Sequence, residues 1–157
     1  MVRLELVKKF PLFDELNEEE KELLSTYLKD VSYHAGDTLF NEGDPSGRIF
    51  FLVEGAVGLF RPDPFGNEVR VAVSDRGTPL GELSFFTGRL HSLKGVALKD
   101  TKALLLTKES YQKLKEDNPS LAVKLIESIT RTVARRLEEM NMKFLDAVSF
   151  IWGGPKK

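Results

Sequence analysis

The spacing of apolar residues along the chain changes twice, and each change marks a change of backbone. Near the start, Asn17 is followed by Glu18, Glu19 and Glu20. That is a helix start: Asn17 can cap, Glu20 completes a capping box, and the acidic run suits the positive end of the helix dipole. Leu23, Leu24, Tyr27, Leu28 and Val31 then fall on one helical face. From Val31 to about Thr107 the period shortens. The runs Thr38–Phe40, Ile49–Val53, Ala56–Phe60, Val69–Val73, Gly95–Leu98 and Ala103–Leu106 are separated by Gly, Pro, Asp and Asn. Such spacing predicts an all-β sandwich or barrel. Val69, Val71 and Val73 alternate with Arg70 and Ala72, the pattern of a half-buried strand, and Asp63-Pro64-Phe65-Gly66-Asn67 reads as a hairpin turn.

Helical spacing returns after Thr107, which can cap a short helix running to Lys115. Asn118-Pro119 opens the longest helix, with Pro119 at the first position, where its missing N–H costs nothing. Leu121, Leu125, Ile129, Val133, Leu137, Met140, Phe144, Val148 and Ile151 follow one face until Gly153-Gly154-Pro155. A helix of that length overhangs a β body of about ninety residues, so its far half predicts a homodimer seam while its near half packs on the body. The elements fit one domain: a helical segment at 1–30, a β body at 31–107 and helices at 108–152.

Composition narrows the chemistry. At 157 residues, 41% hydrophobic and 30% charged, the chain has the balance of an ordinary globular protein. A net charge of -1 leaves no electrostatic footprint for nucleic acid or an acidic membrane. The absence of Cys excludes disulfides, thiolate nucleophiles and Cys-type metal sites. Charges run through the first ten residues, so no signal peptide is expected there, and no stretch approaches the roughly 18 apolar residues of a membrane span. The cytoplasm is the expected location. Only two His occur, His34 and His91, too few for the ligand set of a metal-dependent jelly roll, and no catalytic elbow, phosphate loop or His-Glu-x-x-His run is present. No catalytic residue, metal or cofactor is expected. Arg131, Arg135 and Arg136 form the one basic cluster, with Glu127, Glu138 and Glu139 placed to pair with them on the helix surface.

Two blocks carry a resemblance. The stretch from Ala35 to Gly55 (Ala-Gly-Asp-Thr-Leu-Phe-Asn-Glu-Gly-Asp-Pro-Ser-Gly-Arg-Ile-Phe-Phe-Leu-Val-Glu-Gly) places Gly36, Gly43 and Gly55 at corners around the strand-like run Ile49–Val53. The second block is Leu80-Gly81-Glu82-Leu83-Ser84-Phe85-Phe86. Together they resemble the cyclic-nucleotide-binding domain family, known from catabolite activator proteins and protein kinase A regulatory subunits. The resemblance implies a mostly β fold with flanking helices: a jelly-roll β-barrel between an N-terminal helix and a long C-terminal one. It also implies a regulatory, non-enzymatic role with cyclic AMP or cyclic GMP as candidate ligand. The second block is similar to the start of the family's phosphate-binding cassette. Gly81 lets the backbone approach an anion, the N–H groups that follow, through Leu83 and Ser84, can point at a phosphate, and Glu82 can accept from a ribose hydroxyl. The long helix commonly pairs protomers in the family and lids the base, which makes Thr130, Arg131 and Ala134 candidate base-capping positions. Family members of the activator type read DNA through a helix-turn-helix after that helix; this chain reaches Lys157 without one, so no DNA contact is expected from it alone.

One departure from the family bears on the ligand. An Arg about ten residues past the cassette Gly normally pairs with the phosphate, and His91 stands at that place, followed by Ser92, Leu93 and Lys94. Losing a charge-assisted contact worth about 1.5–3 kcal/mol weakens binding roughly ten- to a hundred-fold. Three arrangements stay open. His91, with Ser92, holds a cyclic nucleotide or another small anion, in which case binding tightens toward pH 6 as the imidazole protonates. Alternatively Arg89 swings in from two residues upstream. In the third, the pocket has lost its ligand and the chain serves as a dimerisation or protein-interaction module.

Overall fold

The computed structural model describes residues 2–45 and 47–153; Ser46 and the Gly154-Pro155 part of the expected helix stop lie outside the described residues. Helix α1 (Val2–Lys9) and a 3-10 turn (Pro11–Phe13) lead to α2 (Glu18–Ser25). Strands β1 (Lys29–Tyr33), β2 (Thr38–Phe40), β3 (Arg48–Glu54), β4 (Ala56–Pro62), β5 (Glu68–Asp75) and β6 (Pro79–Leu80) follow. A short helix, α3 (Glu82–Thr87), precedes β7 (Lys94–Ala97) and β8 (Thr101–Thr107). Helices α4 (Lys108–Asp117) and α5 (Pro119–Gly153) follow.

The strands form two four-stranded antiparallel sheets, ordered β1-β8-β3-β6 and β2-β7-β4-β5. They face each other in the jelly-roll manner, without ladder hydrogen bonds closing them into one cylinder. Strand β3 explains how the layers hold together. Its continuous run of apolar residues is buried on both faces, as a strand with a layer on each side requires. Phe50 and Leu52 point between the sheets, against Leu39, Phe40, Val57, Leu80 and Leu105. Ile49, Phe51 and Val53 point the other way, into a second core made with the helices. In that core Phe10, Phe13 and Phe51 meet with ring centroids 5.1–5.6 Å apart. Each fully buried side chain of this size contributes roughly 1.5–3 kcal/mol.

The buried residues of helix α5 lie in its first third. Leu121, Ala122, Leu125, Ser128 and Ile129 are buried against α4, the 3-10 turn and the outer core, and Val133 is partly buried there. Beyond that the apolar stripe is uncovered: Leu137, Met140, Phe144, Ile151 and Trp152 are 54–84% exposed. No helix among the described residues is long and apolar enough to cross a membrane.

Two local readings of the sequence need correction. Val31 does not continue the apolar face of α2; it lies in β1 and packs on the core between the sheets. The valines of β5 do not line a half-buried face, since Val69, Val71 and Val73 are 42–47% exposed. β5 is the edge of its sheet, bonded to β4 alone among the described residues, and its side chains are exposed along nearly its whole length.

Candidate functional site

The cassette begins where β6 ends. Gly81 stands at the N-cap of α3 with φ 88, and Gly88 closes that helix with φ 73. Glycine is needed at position 81 for two reasons. The backbone is left-handed, and a Cβ there would lie 2.8 Å from the carbonyl oxygen of Arg48. The turn therefore seats the cassette directly against the start of β3.

Glu82 is the next residue and is only 6% exposed. Its carboxylate Oε1 accepts from Nη2 of Arg136, 3.0 Å away on α5. The same nitrogen lies 3.5 Å from the carbonyl of Pro79, and Nε of Arg136 is buried with no hydrogen-bond partner among the described residues. Burial pushes the Glu82 carboxyl up; the Arg136 charge pulls the other way without cancelling it. Arg136 is thus not the solvated surface cation expected from its neighbours in sequence, because the cassette acid claims it. One signal could have disclosed this. Position 136 is three residues past Val133 and seven past Ile129, on the flank of the apolar stripe, where a charge needs a buried partner. Arg131 does stay near the expected surface pairing, 3.9 Å from Glu127, and it also bonds Glu15.

His91 is 5% exposed. Its ring stacks on Phe40 at 4.3 Å and 18°. The backbone N–H of His91 donates to the carbonyl of Asp44 (3.1 Å), while its backbone carbonyl accepts from the Gly43 N–H (2.8 Å). Burial holds the imidazole below its ordinary value, the positive charge of Arg48 lowers it further, and Asp44 opposes both. In this setting the ring packs as an aromatic wall, and burial favours its neutral form. Phe40, the partner that keeps the ring in place, was not among the residues picked from the sequence.

The other expected positions divide. Ser92 and Arg89 are exposed; Arg89 has no carboxylate within 4.0 Å among the described residues. Lys94 is turned aside to Glu68 at 3.1 Å. Ser84 is half-buried in α3, whereas Leu83 is exposed. Thr130 and Ala134 line an apolar groove between α3 and α5 together with Glu82, Leu83, Phe86 and Val133. Arg131 is not in that groove, being turned toward the 3-10 turn and Glu15. Among the described residues there is no group of three or more His, Asp or Glu that could hold a metal ion.

Comparison with known proteins extends this geometry. Residues 30–118 match the cyclic nucleotide-binding domain family. The chain is 33% identical over 144 residues to the cyclic AMP receptor protein of Thermus thermophilus, an alignment covering 92% of this chain. It spans 64% of that receptor's length, less than two thirds. Among solved structures, a cyclic nucleotide-binding domain from Methylobacillus flagellatus superposes with a TM-score of 0.78 at 25% identity, covering 92% of this chain and 81% of that one. The N-terminal domain of a transcriptional regulator from Streptomyces coelicolor gives a TM-score of 0.69 at 34% identity, covering 88% and 94%. These likenesses take in both sheets and the cassette, and the chain belongs to the cyclic nucleotide-binding domain family.

Proposed function

We propose that this chain is a non-enzymatic regulatory module that senses a cyclic nucleotide, cyclic AMP or cyclic GMP, or a related small anion at the cassette. The observation that carries this reading is Glu82, a carboxylate drawn into the cassette beside Gly81 and bridged to α5 through Arg136. A buried acid of this kind is costly to keep. It is useful where it both meets a ligand hydroxyl and reports that contact to a helix. The far half of that helix is uncovered, so the module is read as a homodimer through α5, working in the cytoplasm.

Calorimetric titration with cyclic AMP and cyclic GMP at neutral pH tests the reading. Binding that weakens about ten-fold or more in Glu82→Ala supports it, the loss expected for one charge-assisted contact. No binding of either nucleotide at millimolar concentration refutes the cyclic-nucleotide reading, and no binding of inorganic phosphate as well refutes the anion reading with it.

A second reading has its own support. The ring of His91 fills space against Phe40 and is held by the 43–44 turn, a packing that suits a chain kept as a dimerisation or docking module without ligand. It differs from the first only in the outcome of that titration.

A further inference from the structure

Arg48 opens β3, on the same strand face as Phe50 and Leu52, which fill the space between the sheets. Its Nη2 donates to the carbonyl of Leu39 at 3.3 Å, and Leu39 belongs to β2, in the opposite sheet. The side chain therefore crosses the interior at the cassette end. Its guanidinium sits 5.2 Å from the centre of the Phe50 ring, and Phe50 touches Phe40, which carries the stacked ring of His91. The backbone of Arg48 meets Gly81, and Gly81 in turn lies beside His91. Cation, cassette glycine and the residue at the usual arginine position thus share one corner of the fold.

Arg48 is half-buried, and among the described residues its side chain has no carboxylate within 4.0 Å, whereas Arg3, Arg131 and Arg136 each have at least one. A carbonyl and an aromatic face soften the cost of half-burying a guanidinium but do not neutralise it. An anion would, and a guanidinium is suited to a phosphate because its donors are set in a rigid fork. Lysine and arginine elsewhere near the cassette are spoken for or turned outward: Lys94 pairs with Glu68, and Arg89 is exposed.

We propose that Arg48, from β3, is the cation that receives the ligand's phosphate in this chain, in place of a cassette arginine. The inference rests on the ligand-sensing reading above. The shared chemistry is a phosphate anion, whether esterified in a cyclic nucleotide or free.

The test titrates the intact chain, Arg48→Gln, Arg48→Lys and Arg89→Gln with cyclic AMP, cyclic GMP and inorganic phosphate. The expected result is that Arg48→Gln weakens the bound probe about ten-fold or more. Arg48→Lys should weaken it less, and Arg89→Gln should leave it within about two-fold. Binding of the nucleotides alone identifies the esterified source, and equal binding of inorganic phosphate identifies a general anion site. In the unsubstituted chain, the Arg48 guanidinium NMR signal should move on saturation, a readout that does not depend on a variant folding. Unchanged affinity in Arg48→Gln, or an unmoved Arg48 signal at saturation, overturns this assignment while leaving the ligand reading intact. No binding of any probe to the unsubstituted chain overturns both.

Discussion

At the scale of single residues, His91 and Glu82 make opposite demands on the proton. The imidazole is held below its ordinary 6.5, first by burial and then by the Arg48 charge, so the unfolded chain binds a proton that the folded chain refuses. The stability this contributes is fully present above pH 6.5 and is lost as pH falls through the depressed folded value. Burial raises the Glu82 carboxyl above 4.5 despite Arg136. Its contribution is present below 4.5 and is lost as pH rises through the raised value. Acidification below pH 6.5 therefore brings a loss from His91 that Glu82 partly offsets. Melting temperatures followed from pH 7.5 down to 5 should fall less in His91→Gln than in the unsubstituted chain. Carried on down to pH 4.5, the fall should be steeper in Glu82→Gln. An identical slope in His91→Gln would mean the ring is not the group being titrated.

At the scale of elements, the parts of the fold legible in the sequence were those specified by a local hydrogen bond. Asn17 and Glu20 make both bonds of the capping box, and Thr107 and Asn118 accept from Ser110 and Leu121 as caps. Asp63 and Asn67 close the β4–β5 turn. Gly36, Gly43 and Gly55 all have positive φ, at 93, 84 and 98. What was hidden depended on neighbours distant in sequence. Val31 lies three residues past Leu28, a helical spacing, yet its pairing with Ala103 makes it part of β1. β6 is two residues long and exists because Leu80 and Pro79 find Phe50 and Phe51. The site followed the same rule: Gly81 and Glu82 stand in a contiguous motif, while Arg136 and Arg48 join them only through the packing of α5 and β3. Gly55 gives a direct test of the β3–β4 corner. A Cβ there would lie 2.7 Å from the carbonyl of Asp100 and would clash with the Thr101 hydroxyl, at a φ that L-residues avoid. Gly55→Ala should therefore cost about 2 kcal/mol or more, read as a shift in the urea midpoint. A loss under about 0.5 kcal/mol would show that the corner relaxes freely.

At the scale of the whole molecule, the uncovered half of α5 is the dominant apolar surface. Leu137, Met140, Phe144, Leu145, Phe150, Ile151 and Trp152 are all exposed, more than a monomer ordinarily leaves in water on one helix. Light scattering should report a dimer for the intact chain and a monomer for one ending at Lys143. A monomeric intact chain, or a dimer indifferent to the truncation, would contradict a seam through α5. The helix also has leverage. Arg136 is its last side chain tied to the β body, and Trp152 lies 16 residues further on, a span of about 24 Å at 1.5 Å per residue. Pivoted at that bond, a tilt of about 10° carries Trp152 sideways by roughly 4 Å, close to the depth of a side-chain layer. A rearrangement at Glu82 that bent the helix at this point would be lengthened along the free arm into a shift several times its own size.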